Sequence, residues 1–319
     1  MKKLRIALLA GGTSPEREVS LSSGREVLAA LDKSKYDVVF YDTKTEVSKL
    51  INDAADIDAA LIILHGPYGE DGRIQGLLDL FDIPYQGSGV LGSAVAMNKL
   101  ASKRLLVQAG VSTPAFDVVY SKPGWKDRIH GLDKLGLPVV IKPASGGSSI
   151  GMSIVKSAED MESALEKAFI EDDCALVEEY IAGRELTCGV IGNGAGLEAL
   201  PIIEIIPGKD HEYFDFVAKY TTGEALEICP AEIDRKIADK VMKLAEESHK
   251  ALFCEIYSRT DMMLREDGEL FVLETNTIPG MTANSLLPKS AKAAGYNFPE
   301  FLDRLIDLTL KQKKSKAAS

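Results

Sequence analysis

With 319 residues, 45% of them hydrophobic and 27% charged, the chain has the balance of an ordinary globular protein with room for two or three domains. A formal net charge of -11 excludes a broadly basic nucleic-acid surface, although a local nucleotide pocket remains open. Cys174, Cys188, Cys229 and Cys254 form no C-x-x-C pair and no zinc-type spacing with histidine, which predicts reduced, buried thiols in a cytoplasmic protein.

The opening MKKLRIALLA starts like a signal peptide, but its apolar run stops at Gly11-Gly12. A buried first strand over 4–10 explains it better, and no run reaches the roughly 18 apolar residues of a membrane span. The loop GGTSPE and a helix through about Leu31 follow. Pro15 suits the first helical turn, Ser14 or Thr13 can cap it, and Thr13 to Glu16 fits a capping box. Glu16 therefore either holds the helix end or, at the carboxyl edge of a strand, binds a ligand amine. YDVVFYD and AALIILHG read as the second and third strands, each with a helical segment before it. That alternation predicts a parallel sheet with helices on its faces. His65, expected at the end of the third strand, is either a structural residue or a second ligand contact at the same edge. Gly87, Gly89 and Gly92 match G-x-G-x-x-G but lack the acidic residue about 20 positions on, so they read as loop chemistry.

Asn98 can cap a helix, KLASKRLLVQA, that ends at Gly110, and the first domain boundary is placed just before it. A strand (AFDVVY) and a helical stretch lead to LGLPVVIKPASGGSSIGMSIV. Here Lys142 ends an apolar strand and faces a loop of small residues, Ser145 to Gly151. Its backbone N–H groups and the hydroxyls of Ser148 and Ser149 either meet phosphate oxygens or simply close a hairpin. After a helix (SAEDMESALEKAFI) and a strand (CALVEEYI), GRELTCGVIG begins the next sheet. Glu178, Glu179 and Glu185 cluster at that crossing, either solvated or accepting from an adenine amine and ribose hydroxyls. Residues 207–224, PGKDHEYFDFVAKYTTGE, read as an aromatic lid carrying Lys219 and Tyr220. An amphipathic helix is expected over 231–253, and another over 298–312 before a frayed basic tail.

Between those helices lies RTDMMLREDGELFVLETNTIPGMTANS, residues 259–285. Asp267-Gly268 supports a two-residue hairpin turn. Such a turn sets Arg259 opposite Asn276, Asp261 opposite Glu274, Leu264 opposite Phe271 and Glu266 opposite Glu269. Alternation then gives Arg259, Asp261, Glu274 and Asn276 one face, and Met262, Leu264, Phe271 and Leu273 the other. Two carboxylates opposite one another, with Cβ atoms about 5 Å apart, call for a cation between them. Arg259 is one candidate; a divalent ion with an oxygen from Asn276 is the other.

Taken together, GGTSPEREVSLSSG, LHGPYGEDGRIQGLLD, KPASGGSSIGMS, VEEYIAGREL, AKY, RTDMML and LETNTIPGMTANSLLP resemble, in order and across nearly the whole chain, the D-alanine–D-alanine ligases of the ATP-grasp superfamily. The resemblance implies an α/β and α+β architecture: an N-terminal parallel α/β substrate domain (1–97), a central ATP-grasp lobe (98–189) and a C-terminal lobe with metal site and lid (190–319). It implies that Asp261, Glu274 and Asn276 hold two Mg²⁺ ions, with Mn²⁺ as a substitute. Lys99, Lys142 and Lys219 would meet the phosphates of ATP, with Ser148 and Ser149 in the covering loop. Glu178, Glu179, Tyr180 and Ile181 would line adenine, and Glu185 would bind ribose. Glu16 would anchor the ammonium of the first D-alanine with His65 nearby; Ser285 and Leu286 would hold the second. Glu16, Ser148 and Tyr220 would form a hydrogen-bonded set, and Arg259 with the Gly280 backbone would stabilise a tetrahedral intermediate. The lid departs from the usual pattern at Phe214, Phe216 and Val217, which bears on the second substrate, while Tyr220 is the residue D-alanine users carry. The implied protein is a homodimer for peptidoglycan synthesis, with no nucleic-acid or membrane partner. The alternatives are another ATP-grasp carboxylate–amine ligase, including D-lactate or D-serine variants, and a nonenzymatic nucleotide-binding protein, which should lack the acid pair or Arg259.

Overall fold

The computed structural model describes residues 2–147, 149–194, 196–208 and 225–318. The first sheet joins β1 (Leu4–Ala10), β2 (Tyr36–Asp42) and β3 (Ala59–Ile62) in the order β2-β1-β3, all parallel as expected. The connections carry α1 (Arg17–Ala30) and α2 (Val47–Asp53). Ile6 and Leu8 enter one apolar cluster while Ala7 and Leu9 enter another. Both faces of β1 are thus covered, which is why LRIALLA is a continuous apolar run rather than an alternating one. The third strand is shorter than expected and ends at Ile62, with one more ladder bond from Ile63 N to Leu9 O, so His65 lies in the loop beyond it. The expected capping box at α1 is also absent. Glu16 makes no side-chain cap hydrogen bond, and its backbone N–H donates to Ser14 Oγ instead.

Next come α3 (Arg73–Leu80), α4 (Val90–Met97) and α5 (Lys99–Gln108). The cap on α5 forms as the sequence predicts, Asn98 Oδ1 accepting from Ala101 N at 2.9 Å. A second sheet, antiparallel, orders β4 (Phe116–Tyr120), β5 (Val139–Pro143), β6 (Ser153–Val155) and β7 (Cys174–Glu179) as β4-β7-β5-β6. The helical stretch before β5 consists of 3-10 turns over Trp125–Leu135, and α6 (Met161–Phe169) packs its Leu165 and Ala168 against Ile141 and Val177 of the sheet.

The third sheet contains β8 (Arg184–Gly192), β9 (Glu198–Ala199), β10 (Ile203–Pro207), β11 (Ala225–Ile228), β12 (Ile256–Leu264) and β13 (Leu270–Asn276). Its main order is β11-β10-β8-β12-β13. Helix α7 (Arg235–Ala251) covers one face through Val241 and Ala245. It starts four residues later than expected because Asp234 accepts from Lys236 N and acts as the cap. Helix α8 (Leu286–Ala293) lies towards the opposite face, where Leu286 joins Ile203 and Ile205. Helix α9 (Phe298–Ala318) runs past the expected residue 312. Its Phe301 and Leu305 return to the first sheet and pack with Ile6 and Leu8.

Candidate active site

The β12–β13 hairpin corrects the expected turn. Arg265 N donates to Glu269 O and Gly268 N to Arg265 O, both at 2.9 Å. The loop therefore has three residues, 266–268, with Gly268 at φ +84°, a conformation open to glycine without Cβ strain. Arg265 clasps Asp267, whose Oδ1 accepts from Glu269 N, so side-chain bonds favour this longer loop. Glu266 consequently does not face Glu269, and Leu264 pairs with Leu270 rather than Phe271. A bulge at Leu273 then absorbs the offset, and Asp261 faces Glu274 and Arg259 faces Asn276 as the sequence predicts.

The same bulge changes which side chains reach the core. Met262, Leu264, Leu270 and Val272 form the buried set, in place of the expected pairing of Met262 and Leu264 with Phe271 and Leu273. A one-residue shift exchanges the faces of a strand, so Phe271 and Met263 share the face of Asp261 and Glu274. The neighbouring strand β8 contributes Thr187 opposite Asp261 and Glu185 opposite Met263.

On that face Arg259 is the cation beside the acid pair. Its Nε donates to Asp261 Oδ1 at 2.8 Å and its Nη2 to Asp261 Oδ2 at 2.7 Å, while Thr187 Oγ1 donates to Oδ1 at 2.5 Å. Glu274 has Lys99 Nζ 3.8 Å away. Asn276 Oδ1 accepts from Ile278 N at 2.9 Å, leaving one lone pair of that oxygen uncommitted by this bond. Among the described residues no three His, Cys, Asp or Glu side chains cluster into a metal cage. The donor set is instead two carboxylates and an amide oxygen. It suits a hard cation that completes its shell with phosphate or water oxygens.

The carboxyl edge of the first sheet lies against this face. Glu16 is buried, and its Oε2 stands where a Cβ at Gly66 would be 3.1 Å away and one at Gly147 would be 3.6 Å away. Glu16 is therefore held between the loop after β3 and the small-residue loop after β5. His65 is buried beside it, with no hydrogen-bond partner for Nε2 among the described residues. Burial pushes the His65 pKa down, opposed by the charge of Glu16 and reinforced by Arg259. Glu70, which sequence reasoning missed, accepts from Gly66 N at 2.5 Å. Part of the residue stays exposed, but its carboxyl is enclosed, and burial together with Glu16 pushes it up to about 8.

Basic residues border the acids. Lys99 N donates to Ala144 O at 2.7 Å and Lys99 Nζ to Gly146 O at 2.5 Å, tying α5 to the small-residue loop that includes Ser149. Lys142 Nζ lies 3.0 Å from Glu178 Oε2, and Lys103, also missed from sequence, lies 3.2 Å from Glu178 Oε1. Glu179 faces Arg265 at 4.0 Å, and that guanidinium stacks 4.9 Å from the Phe271 ring centre. Glu179 and Tyr180 are half-buried and Ile181 is buried, where the chain crosses from the second sheet to the third. Gly280 abuts Ser285, whose Oγ is 2.8 Å from Thr282 Oγ1, and Leu286 opens α8 next to them. Ser148, Lys219 and Tyr220 lie outside the described residues, as does most of the expected lid.

The missed residues left only faint signals. Lys103 follows Lys99 by one helical turn, and Thr187 follows Glu185 by one strand repeat. Glu70 and Phe271 carried no local signal, since their positions depend on a loop fold and a bulge.

The family model described as D-ala D-ala ligase C-terminus matches residues 105–307, and the one described as D-ala D-ala ligase N-terminus matches 5–53 and 42–88. The chain belongs to the D-alanine–D-alanine ligase family. A relative from Syntrophobacter fumaroxidans, named D-alanine--D-alanine ligase, is 53% identical over 97% of this chain and 98% of its own length. The crystal structure of the Bacillus anthracis ligase complexed with ATP is 38% identical, covers 98% of this chain and 99% of its own, and superposes with a TM-score of 0.84. The VanG D-Ala:D-Ser ligase from Enterococcus faecalis, 30% identical, superposes with a TM-score of 0.81 over 97% of this chain and 100% of its own. Membership makes the chain an ATP-dependent ligase of the ATP-grasp fold, in agreement with the sheets described above. Among the described residues, no helix is long and apolar enough to cross a membrane.

Proposed function

We propose that this chain joins two D-alanine molecules into D-alanyl-D-alanine at the expense of ATP, for peptidoglycan precursor synthesis. The observation that carries the reading is the convergence of Glu16 and His65 from one sheet edge upon Arg259, Asp261 and Glu274 from the hairpin face. In this reading Glu16 binds the ammonium group of the first D-alanine, with His65 and Glu70 closing the pocket around it. The carboxylate of that substrate attacks the γ-phosphoryl of ATP, giving an acyl phosphate and ADP. The amine of the second D-alanine, held near Ser285 and Leu286, attacks the acyl carbon, and phosphate leaves. Arg259 and the Gly280 backbone receive the negative charge that develops on the carbonyl oxygen.

Lys99 and Lys142 border the nucleotide phosphates, with Lys219, Ser148 and Ser149 completing that set; Glu178 to Ile181 line adenine and Glu185 meets the ribose. Asp261, Glu274 and Asn276 would hold Mg²⁺, two ions with Mn²⁺ able to substitute, and bound metal would neutralise phosphate charge. The donor chemistry supports this, because hard oxygens facing each other are what such an ion takes. Arg259 bonds both oxygens of Asp261, so a metal held there would use their remaining lone pairs. Glu16, Ser148 and Tyr220 would link substrate, phosphate loop and lid.

The units 1–97, 98–189 and 190–319 are part of this reading. One sheet lies mainly in each, although the last boundary falls within β8 (Arg184–Gly192) of the third sheet, and α9 returns from the last unit to the first sheet. Cytoplasmic residence and a homodimer belong to the same reading. ADP release measured with and without D-alanine, followed by mass analysis of the product, tests it. D-alanine-dependent ADP release with a dipeptide of D-alanine is expected; release driven by D-lactate or D-serine in preference would reassign the second substrate.

A further inference from the structure

Lys103 is the most deeply buried charged side chain near the site, with 1% of its surface exposed. It sits in the middle of α5, one turn beyond Lys99 and on the same side of the helix. Its ammonium lies 3.2 Å from Glu178 Oε1, donates to Thr113 Oγ1, and stands 5.5 Å from the Phe116 ring centre. The other oxygen of that carboxylate, Oε2, is taken by Lys142 at 3.0 Å. Glu178 itself is 2% exposed.

Burying an ammonium group is costly, and an apolar side chain of like volume at such a position is often neutral or stabilising. Packing alone therefore gives no reason for a lysine here. Charge does. A Lys142–Glu178 pair alone would be neutral, with the lysine drawn wholly towards its carboxylate. Adding Lys103 sets a second ammonium 3.2 Å from the other oxygen, an ion pair rather than a formed hydrogen bond, and leaves the buried trio with one net positive charge. Lys142 is then held by half of a shared acid and keeps N–H donors for another anion.

We propose that Lys103 is a positioning residue for nucleotide binding, acting through Glu178 to orient Lys142 and keep its charge available to the nucleotide phosphates. The inference rests on the nucleotide site of the proposed function, and it assigns a role to a residue that touches no ligand itself. The charged groups facing Lys103 are Glu178 on β7, Lys142 on β5 and, farther off, Glu274 on β13. Burial outweighs the two acids and brings the Lys103 pKa down to about 8. The trio thus loses its net charge as the pH rises through about 8.

The test is ADP affinity by calorimetry and steady-state kinetics for the full-length wild type, Lys103→Met and Glu70→Gln. Lys103→Met is expected to weaken ADP binding about tenfold at pH 7 and raise the KM for ATP similarly, with kcat at saturating ATP changed less than about threefold. Wild-type ADP affinity is expected to fall between pH 7 and 9. The fall should persist in Glu70→Gln, which removes the other group titrating near 8, and vanish in Lys103→Met. Wild-type affinity in Lys103→Met, or a lost kcat with affinity unchanged, would overturn the proposal. Should Lys103→Met fail to fold, the wild-type and Glu70→Gln profiles still decide, since a flat profile overturns it. Failure of the wild type to bind ADP or to release it with D-alanine would instead overturn the ligase reading beneath it.

Discussion

Arg259 grips both oxygens of Asp261, at 2.8 and 2.7 Å, on the strand position directly opposite Glu274. The pair is nearly enclosed, each residue below a tenth exposed. One guanidinium thus balances one member of an acid couple, while the other member has Lys99 Nζ 3.8 Å away.

Replacing Arg259 by Met should strand Asp261 in a buried setting with Thr187 as its remaining side-chain partner among the described residues. The expected loss of stability is about 3 kcal/mol by denaturant unfolding, because breaking one side of a buried pair costs more than the pair contributes. In the same variant kcat should fall about a hundredfold, the order associated with losing one oxyanion donor. Full stability with lost activity would limit Arg259 to chemistry; the reverse would limit it to structure.

Glu274→Gln should behave differently. Its side chain is about one-third exposed and its lysine is 3.8 Å away, so the pair adds little to stability, under about 1 kcal/mol. Turnover should nevertheless fall about a hundredfold or more, since the change removes charge where metal is to bind. Near-normal turnover at saturating Mg²⁺ would count against its placement at the metal.

Glu70 gives a pH dependence with a defined sign. Its carboxyl is pushed up to about 8 in the folded chain, far above the usual carboxylate range. The folded state therefore holds its proton where the unfolded state releases it, and stability falls as pH rises from the unfolded value of about 4.5 towards 8. Glu70→Gln removes that penalty. Its melting temperature, compared with wild type without ligand, should be unchanged at pH 4 and higher by roughly 2 °C or more at pH 8. Equal differences at both pH values would contradict the assigned shift.

Gly66→Ala combines two penalties in one methyl group. The residue has φ +72°, and the new Cβ would lie 3.1 Å from Glu16 Oε2. Backbone strain of about 1–2 kcal/mol should lower the melting temperature. Displacement of Glu16 should raise the KM for D-alanine roughly tenfold with the KM for ATP little changed. A rise confined to ATP would place Glu16 elsewhere.

The hairpin shows what local sequence can and cannot reveal. Asp267-Gly268 marks the reversal correctly, and the opposition of Asp261 and Glu274 follows from it, but only because two departures offset each other. The turn has one residue more than expected and the bulge at Leu273 takes up the difference. Alternation along β13 alone carries no sign of that bulge, so it puts Phe271 on the opposite face from the one it occupies. The parallel first sheet and the Asn98 cap were legible because each depends on neighbours in sequence. Glu70 and Lys103 were not, because their altered ionisation arises from desolvation by segments remote in the chain. Glu16 shows the same limit from the other side. Its capping motif was present, yet the side chain serves the space between two loops instead.

Helix α9 has a bearing on how this protein is made. The strands holding Ile6, Leu8 and Leu61 leave the ribosome early, whereas Phe301, Leu302 and Leu305, which seal them from water, are among the last to be translated. That side of the amino-terminal layer has α1 against it early, through Val27 and Leu31, but waits for its last covering helix through almost the entire period of synthesis. A premature stop before residue 298 would release a chain whose opening layer lacks part of its cover, fit for chaperone capture or precipitation rather than for partial function.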